Sequence, residues 1–139
     1  MAYTKEIKKV FISGAITGCD GYKEKFLQAE KYLKSFGYAV MNPAILDEGF
    51  EHGEYMKVTL AMLSVCDTIF ILPCAVASKG ALEEIMEAVK TGKNIMWHED
   101  LSTSNLVRFI KETRGGLRRL EAMILRSSYE ICYEDRRNF

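Results

Sequence analysis

The stretch Thr68-Ile-Phe-Ile-Leu72, stopped by Pro73, is apolar at every position after the first. A strand with one wet face alternates polar and apolar residues; an unbroken apolar run of this length suits a parallel strand covered on both faces. The flanking sequence supplies the covering helices. Upstream, Lys9-Val-Phe-Ile-Ser13 is a short β-rich run that ends in Gly14-Ala-Ile-Thr-Gly18, which reads as strand then loop. Tyr22, Phe26, Ala29, Leu33 and Phe36 follow at helical spacing, and Gly37 suits a left-handed helix terminus. Tyr38-Ala-Val-Met41 is a second strand, ended by Asn42-Pro43. A polar loop through Gly53 then leads to a mostly apolar helix from Tyr55 to Val65. Downstream, Gly80 opens a helix carried by Ala81, Leu82, Ile85, Met86, Ala88 and Val89 and closed by Gly92; Asn94-Ile-Met-Trp97 is a fourth strand.

From Leu101 the pattern loosens. Ser104 can cap a helix to Thr113, Gly115-Gly116 interrupts it, and Leu117, Leu120 and Ile124 continue helically. Tyr129, Ile131 and Tyr133 alternate as a fifth, edge strand. Strands and helices that alternate in this way predict an α/β fold with a mostly parallel sheet and right-handed crossovers. The expected architecture is a flavodoxin-like, or Rossmann-like, three-layer sandwich with five strands in the order 2-1-3-4-5. With 139 residues and neither repeats nor a linker, the chain is expected to be a single domain over 1–139.

Nineteen Lys and Arg balance nineteen Asp and Glu, so the composition offers no general attraction to nucleic acid or to an anionic membrane. Eight Lys/Arg against five Asp/Glu from Leu101 onward leave a modest +3, as a solvated helix face would. No stretch approaches the roughly 18 apolar residues of a membrane helix, and Met1 to Lys9 has no apolar run of the signal-peptide kind. The expected compartment is cytoplasmic. Cys19, Cys66, Cys74 and Cys132 show no CxxC spacing and only two histidines accompany them, which reads as free thiols with no metal site and no cofactor.

In a sheet of this kind ligands bind beyond the carboxyl ends of the strands, near the switch in strand order. Three loops reach that edge: Ser13 to Gly18, Asn42 onward, and Pro73 to Gly80. The first, Ser13-Gly14-Ala15-Ile16-Thr17-Gly18, can cradle an anion on backbone amides or serve only as a tight turn; without Gly-Lys-Ser/Thr it is not a Walker loop. Ser78-Lys79-Gly80 precedes a helix and offers a hydroxyl, amides and an ammonium group, or simply a helix cap. Glu84, four residues past Gly80, can look back into the crevice and attack a sugar carbon, or can be an acidic residue favoured near a helix N-terminus. Glu83 lies about 100° around the helix and is expected to face solvent. His52 and His98 read as loop residues rather than general bases, and Asp67 as a structural residue at the opposite end of the sheet.

Taken in order, Val10-Phe-Ile-Ser-Gly14-Ala-Ile-Thr-Gly18, Tyr22, Phe26, Asn42-Pro-Ala44, Tyr55-Met56, Leu60, Cys66-Asp67, Leu72-Pro73 and Ser78-Lys-Gly-Ala81 with Glu84 resemble one family. It is the nucleoside 2-deoxyribosyltransferase-like group of small proteins, DUF4406, carried by many phages and bacteria. The likeness is close over 9–93; 101–133 resembles more loosely the end of the related deoxynucleoside monophosphate N-glycosidases. The resemblance implies a homodimer or higher oligomer acting on the N-glycosidic bond of a deoxynucleoside or its 5′-monophosphate, as hydrolase or deoxyribosyltransferase. It places the catalytic glutamate at Glu84 and phosphate contacts at Ser78 and Gly80. Four positions depart from the enzymes' pattern. Phe11 stands where they carry tyrosine, Thr59 where they carry a helical aspartate, and Ala15 and Thr17 where the N-glycosidases carry a serine and an arginine. The alternative reading is a catalytically silent module that captures a nucleotide or nucleotide-derived signal in the same crevice.

Overall fold

A computed structural model describes residues 6–99 and Leu101. Four parallel strands form the sheet: β1 (Lys9–Ser13), β2 (Ala39–Met41), β3 (Thr68–Ile71) and β4 (Asn94–Trp97), in the order β2-β1-β3-β4. Three helices connect them: α1 (Tyr22–Lys34), α2 (His52–Ser64) and α3 (Lys79–Lys90). Short 3-10 turns at Pro43–Ile45 and Pro73–Ala77 follow β2 and β3. The expected helices at 104–113 and 117–124 and the edge strand at 129–133 lie outside the described residues.

The apolar run that predicts a doubly covered strand is β3, paired parallel with β1 on one side and β4 on the other. All four of its residues are buried. On one sheet face Val10, Ile12, Phe70, Leu72 and Met96 pack with Phe26, Ala29 and Leu33 of α1. On the other, Phe11, Ile69, Ile71, Ile95 and Trp97 pack with Leu63 of α2 and Ala81, Ile85 and Ala88 of α3. Alternate residues of one strand thus serve opposite cores, which is why β3 shows no polar alternation.

Two boundaries differ from the sequence reading. Helix α2 starts at His52, three residues before Tyr55, because Glu51 N donates to Glu54 Oε1 at 2.8 Å and closes the first turn. The usual signal for such a box is Ser or Thr at the cap, and glutamate in that place hides it. Helix α1 ends at Lys34 rather than Phe36; Gly37, at φ 88°, donates to Lys34 O and turns the chain into β2.

Asp67 secures the strand ends opposite the carboxyl edge of the sheet. Its Oδ2 accepts from Lys8 N (3.0 Å) and Lys9 N (2.9 Å), and its Oδ1 from Thr68 Oγ1 (2.7 Å). One carboxylate therefore joins the start of β1 to the start of β3. Asp67→Ala, which orphans these donors, is expected to lower unfolding free energy by about 1–3 kcal/mol. Urea denaturation checks this, and an unchanged midpoint would remove the role.

Candidate functional site

The parallel arrangement brings the loops after β1, β2 and β3 to one edge, where they enclose a cleft of about 1010 Å³. Gly14, Ile16, Thr17, Gly18, Thr59, Ser78, Gly80 and Glu84 all line it. Ser13 is fully buried beneath, and its Oγ donates to Glu84 Oε1 at 2.7 Å. Two candidates are not brought to the cleft wall. Ala15 is buried, with its N–H on Cys74 Sγ at 3.3 Å. Asn42 caps the turn after β2, accepting from Ala44 N and donating to Glu30 Oε1, both at 2.9 Å. Its short polar side chain serves the turn that its position before Pro43 creates.

Each element positions its residue for a local reason. Ser13 is the last residue of β1 and shares a sheet face with Phe11, the face on which α2 and α3 pack. Gly14 follows at a near contact with the loop after β3: a Cβ there would lie 3.0 Å from Leu72 Cδ1 and 3.1 Å from Cys74 Sγ. Ser78 caps α3, its Oγ accepting from Ala81 N at 3.0 Å, so the capping role is filled. The same hydroxyl still has a proton to donate. The amides of Lys79 and Gly80 stand in the first turn, where a helix leaves its N–H groups without intrahelical partners.

Glu84 is the unusual group. Only 6 % exposed, it lies on the second turn of α3 with its carboxyl against β1 and α2. Burial pushes its pKa up to about 7; the Ser13 and Thr59 hydroxyls oppose the rise, and neighbouring Glu83 adds to it. Thr59, 4 % exposed on α2, lies close enough to favour the charged carboxylate. Its hydroxyl oxygen nonetheless meets no hydrogen-bond partner in standard geometry among the described residues. A buried hydroxyl without a partner, lining a cleft beside a carboxyl, is a group that a ligand can satisfy.

A family model described as a domain of unknown function, DUF4406, matches residues 8–97. The chain belongs to the DUF4406 family. No curated protein matches the sequence. The DUF4406 region contains every residue of the cleft named above.

Three site features of this DUF4406 chain escape the sequence reading. His52, expected in a loop, is the first residue of α2 and lines the cleft. Glu83 is exposed, as expected, but its Oε2 lies 3.2 Å from His52 Nε2, a contact the sequence did not show. Phe50, 59 % exposed, stands at the cleft wall beside Tyr55. The Glu51–Glu54 box was the available signal for His52, since it sets where α2 begins. His98 lies elsewhere, in a smaller hollow of about 400 Å³ with Lys25, Gln28 and Cys74. Cys19, Cys66 and Cys74 are free thiols, and Cys132 lies outside the described residues. Among the described residues no helix is long and apolar enough to cross a membrane.

The raised pKa of Glu84 sets a stability test. A carboxyl that holds its proton more tightly folded than unfolded opposes folding increasingly as pH rises from the ordinary 4.5 to about 7. The cost is absent below that window and complete above it, at up to about 3 kcal/mol. Glu84→Gln is therefore expected to raise the urea midpoint at pH 8 and to leave it nearly unchanged at pH 4.5. A pH-independent difference between the two proteins would show that Glu84 titrates normally.

Proposed function

We propose that the cleft binds a nucleoside or nucleoside 5′-monophosphate and that Glu84 attacks the anomeric carbon of its N-glycosidic bond. The observation that carries this reading is the buried Glu84 carboxyl, oriented by Ser13 at 2.7 Å and lining the same cleft as the N-terminus of α3. A carboxylate nucleophile needs a fixed position and partial freedom from water, and its attack yields a glycosyl-enzyme ester with departure of the base. Water then hydrolyses the ester, or a second base accepts the sugar, which separates hydrolase from deoxyribosyltransferase. Ser78 and the first-turn amides of α3 suit the phosphate, and the Gly14–Gly18 loop borders the sugar. The resemblance to nucleoside 2-deoxyribosyltransferase-like proteins agrees with this use of Glu84, Ser78 and Gly80. The same reading extends the sheet to a fifth strand at 129–133, giving the flavodoxin-like order 2-1-3-4-5.

One observation favours a silent binding module instead. The hydrogen bond that Glu84 receives in standard geometry comes from a hydroxyl, Ser13 Oγ, and with a pKa of about 7 the carboxyl is partly protonated at neutral pH. Phe11, fully buried in the core, also offers no hydroxyl near the site. In that reading the crevice holds the ligand intact.

The two readings separate on turnover. The protein incubated with deoxynucleosides and their 5′-monophosphates is expected to release free base, with kcat/KM rising as Glu84 ionises through about pH 7. Glu84→Gln is expected to lower turnover by about a thousandfold or more while affinity changes less than about tenfold, because the charge acts in the transition state. Retained intact ligand without base release favours the binding module, and unchanged turnover in Glu84→Gln removes the nucleophile. Ser78→Ala is expected to weaken monophosphate binding first, with a helix-cap loss of about 1 kcal/mol in stability.

We also propose that the chain is a homodimer or larger. Val58 and Ala61 on α2 and Val65 just after it form an exposed stripe at helical spacing, and Val65 is 54 % exposed. Light scattering at micromolar concentration is expected to give at least twice the 15.8 kDa chain mass. Val58→Asp with Val65→Asp is expected to reduce it to that of the monomer, and a monomeric parent overturns the proposal.

A further inference from the structure

The charged residues around the cleft are unevenly placed. Asp20 comes from the loop after β1, Glu48 from the loop after β2 and Glu84 from α3. The basic residues that line it, Lys79 and His52, both stand at the start of α3: Lys79 is its first residue, and His52 leans over Gly80 from α2. A Cβ on Gly80 would sit 3.5 Å from His52 Cε1, so the imidazole covers the first turn, where the amides point outward. A helix N-terminus favours an anion. Thr59 supplies the independent sign of a ligand here, since it lines the same cleft and its buried hydroxyl has no hydrogen-bond partner in standard geometry among the described residues.

His52 is held by a contact that an anion can replace. Nε2 lies 3.2 Å from Glu83 Oε2, and both side chains are about half exposed. A carboxylate only accepts, so Nε2 carries the proton in this contact. In water such a pair contributes little, about 0–1 kcal/mol, and a phosphate oxygen a few ångströms away offers the same acceptor with more charge. The groups around the imidazole are Glu83, Lys79 and the more deeply buried Glu84 on α3, Glu48 on the preceding loop, and Glu51, Glu54 and Tyr55 on its own helix end. None of the carboxylates can hold a phosphate. His52 and Lys79 can.

We infer that His52 is the residue that distinguishes phosphorylated from unphosphorylated ligands, exchanging Glu83 for the phosphate over the first turn of α3. The inference rests on the nucleotide reading of the cleft and assigns the phosphate selectivity within it. Ala15 is buried and Thr17 neutral, so the loop after β1 presents no cation to a phosphate. The selectivity therefore comes from the α2–α3 side, and Glu83 competes with the ligand for the imidazole.

Calorimetric titration tests this with three probes: a 2′-deoxynucleoside 5′-monophosphate, the matching deoxynucleoside, and inorganic phosphate. His52→Gln is expected to weaken the monophosphate and phosphate about tenfold, or 1.4 kcal/mol, and the deoxynucleoside by less than about twofold. His52→Arg, which restores a donor and a charge, is expected to recover most of the loss. Glu83→Gln is expected to tighten the monophosphate when His52 is present and to have a much smaller effect in the His52→Gln background. His52 is exposed at a helix start, so its replacement leaves the fold intact, which circular dichroism verifies. Equal losses for nucleoside and monophosphate, no loss at all, or failure of Arg to rescue would each overturn the inference. A parent protein that binds neither phosphate nor monophosphate also overturns it, even where unphosphorylated nucleosides are cleaved. His52-dependent monophosphate binding without base release leaves it standing and overturns only the glycosidic reading.

Discussion

Strand β3 has no wet face. Its four buried residues pair with β1 and β4 at once, and its side chains enter two cores, one against α1 and the other against α2 and α3. Parallel neighbours cannot be joined by tight turns, so each connection runs over a sheet face as a helix. The same constraint sends the carboxyl ends of β1, β2 and β3 to one edge. The cleft exists because three loops must leave that edge together, and the site residues come from three distant parts of the chain for the same reason.

Within that frame the hydrogen bond from Ser13 to Glu84 ties the end of β1 to the second turn of α3 across 71 residues. The packing that forms the core also strips water from Glu84, so structure and chemistry oppose each other at one atom group. A carboxyl with a pKa near 7 opposes folding at neutral pH. Asp67, at the other end of the strands, shows the contrast: its carboxylate receives backbone N–H groups and a hydroxyl and serves the fold alone. Two acidic residues, one just before β3 and one on α3, thus have separate duties, set by the donors they meet.

Membership of DUF4406 covers the strand and helix core and carries no activity with it. What narrows the chemistry is local: a buried carboxyl, a helix N-terminus with Ser78 at its cap, and the unpartnered Thr59 hydroxyl. Ser78 shows that a cap and a ligand contact are compatible, because one hydroxyl can accept from Ala81 N while donating outward. Asn42 also caps a turn: its Oδ1 accepts from Ala44 N and its Nδ2 donates to Glu30 Oε1, both within the fold.

The order of strands and helices, the burial of β3 and the edge where three loops gather were legible in the sequence, because hydrophobic period and turn residues are local properties and each names its element directly. Ser13, Ser78, Gly80 and Glu84 were legible as candidates for the same reason, each standing at a loop or helix start. Their meeting was not. That Ser13 touches Glu84, that Thr59 lacks a partner, and that Asn42 turns away depend on how α2 and α3 pack on the sheet. His52 is the clearest case: its helix begins at a glutamate box that mimics a loop in sequence, and its contact with Glu83 joins residues 31 positions apart. Sequence pattern specified the elements, because each is held by neighbours within a turn or a strand. Only the tertiary structure decided the site, because burial, acidity and pairing are set by groups far apart along the chain.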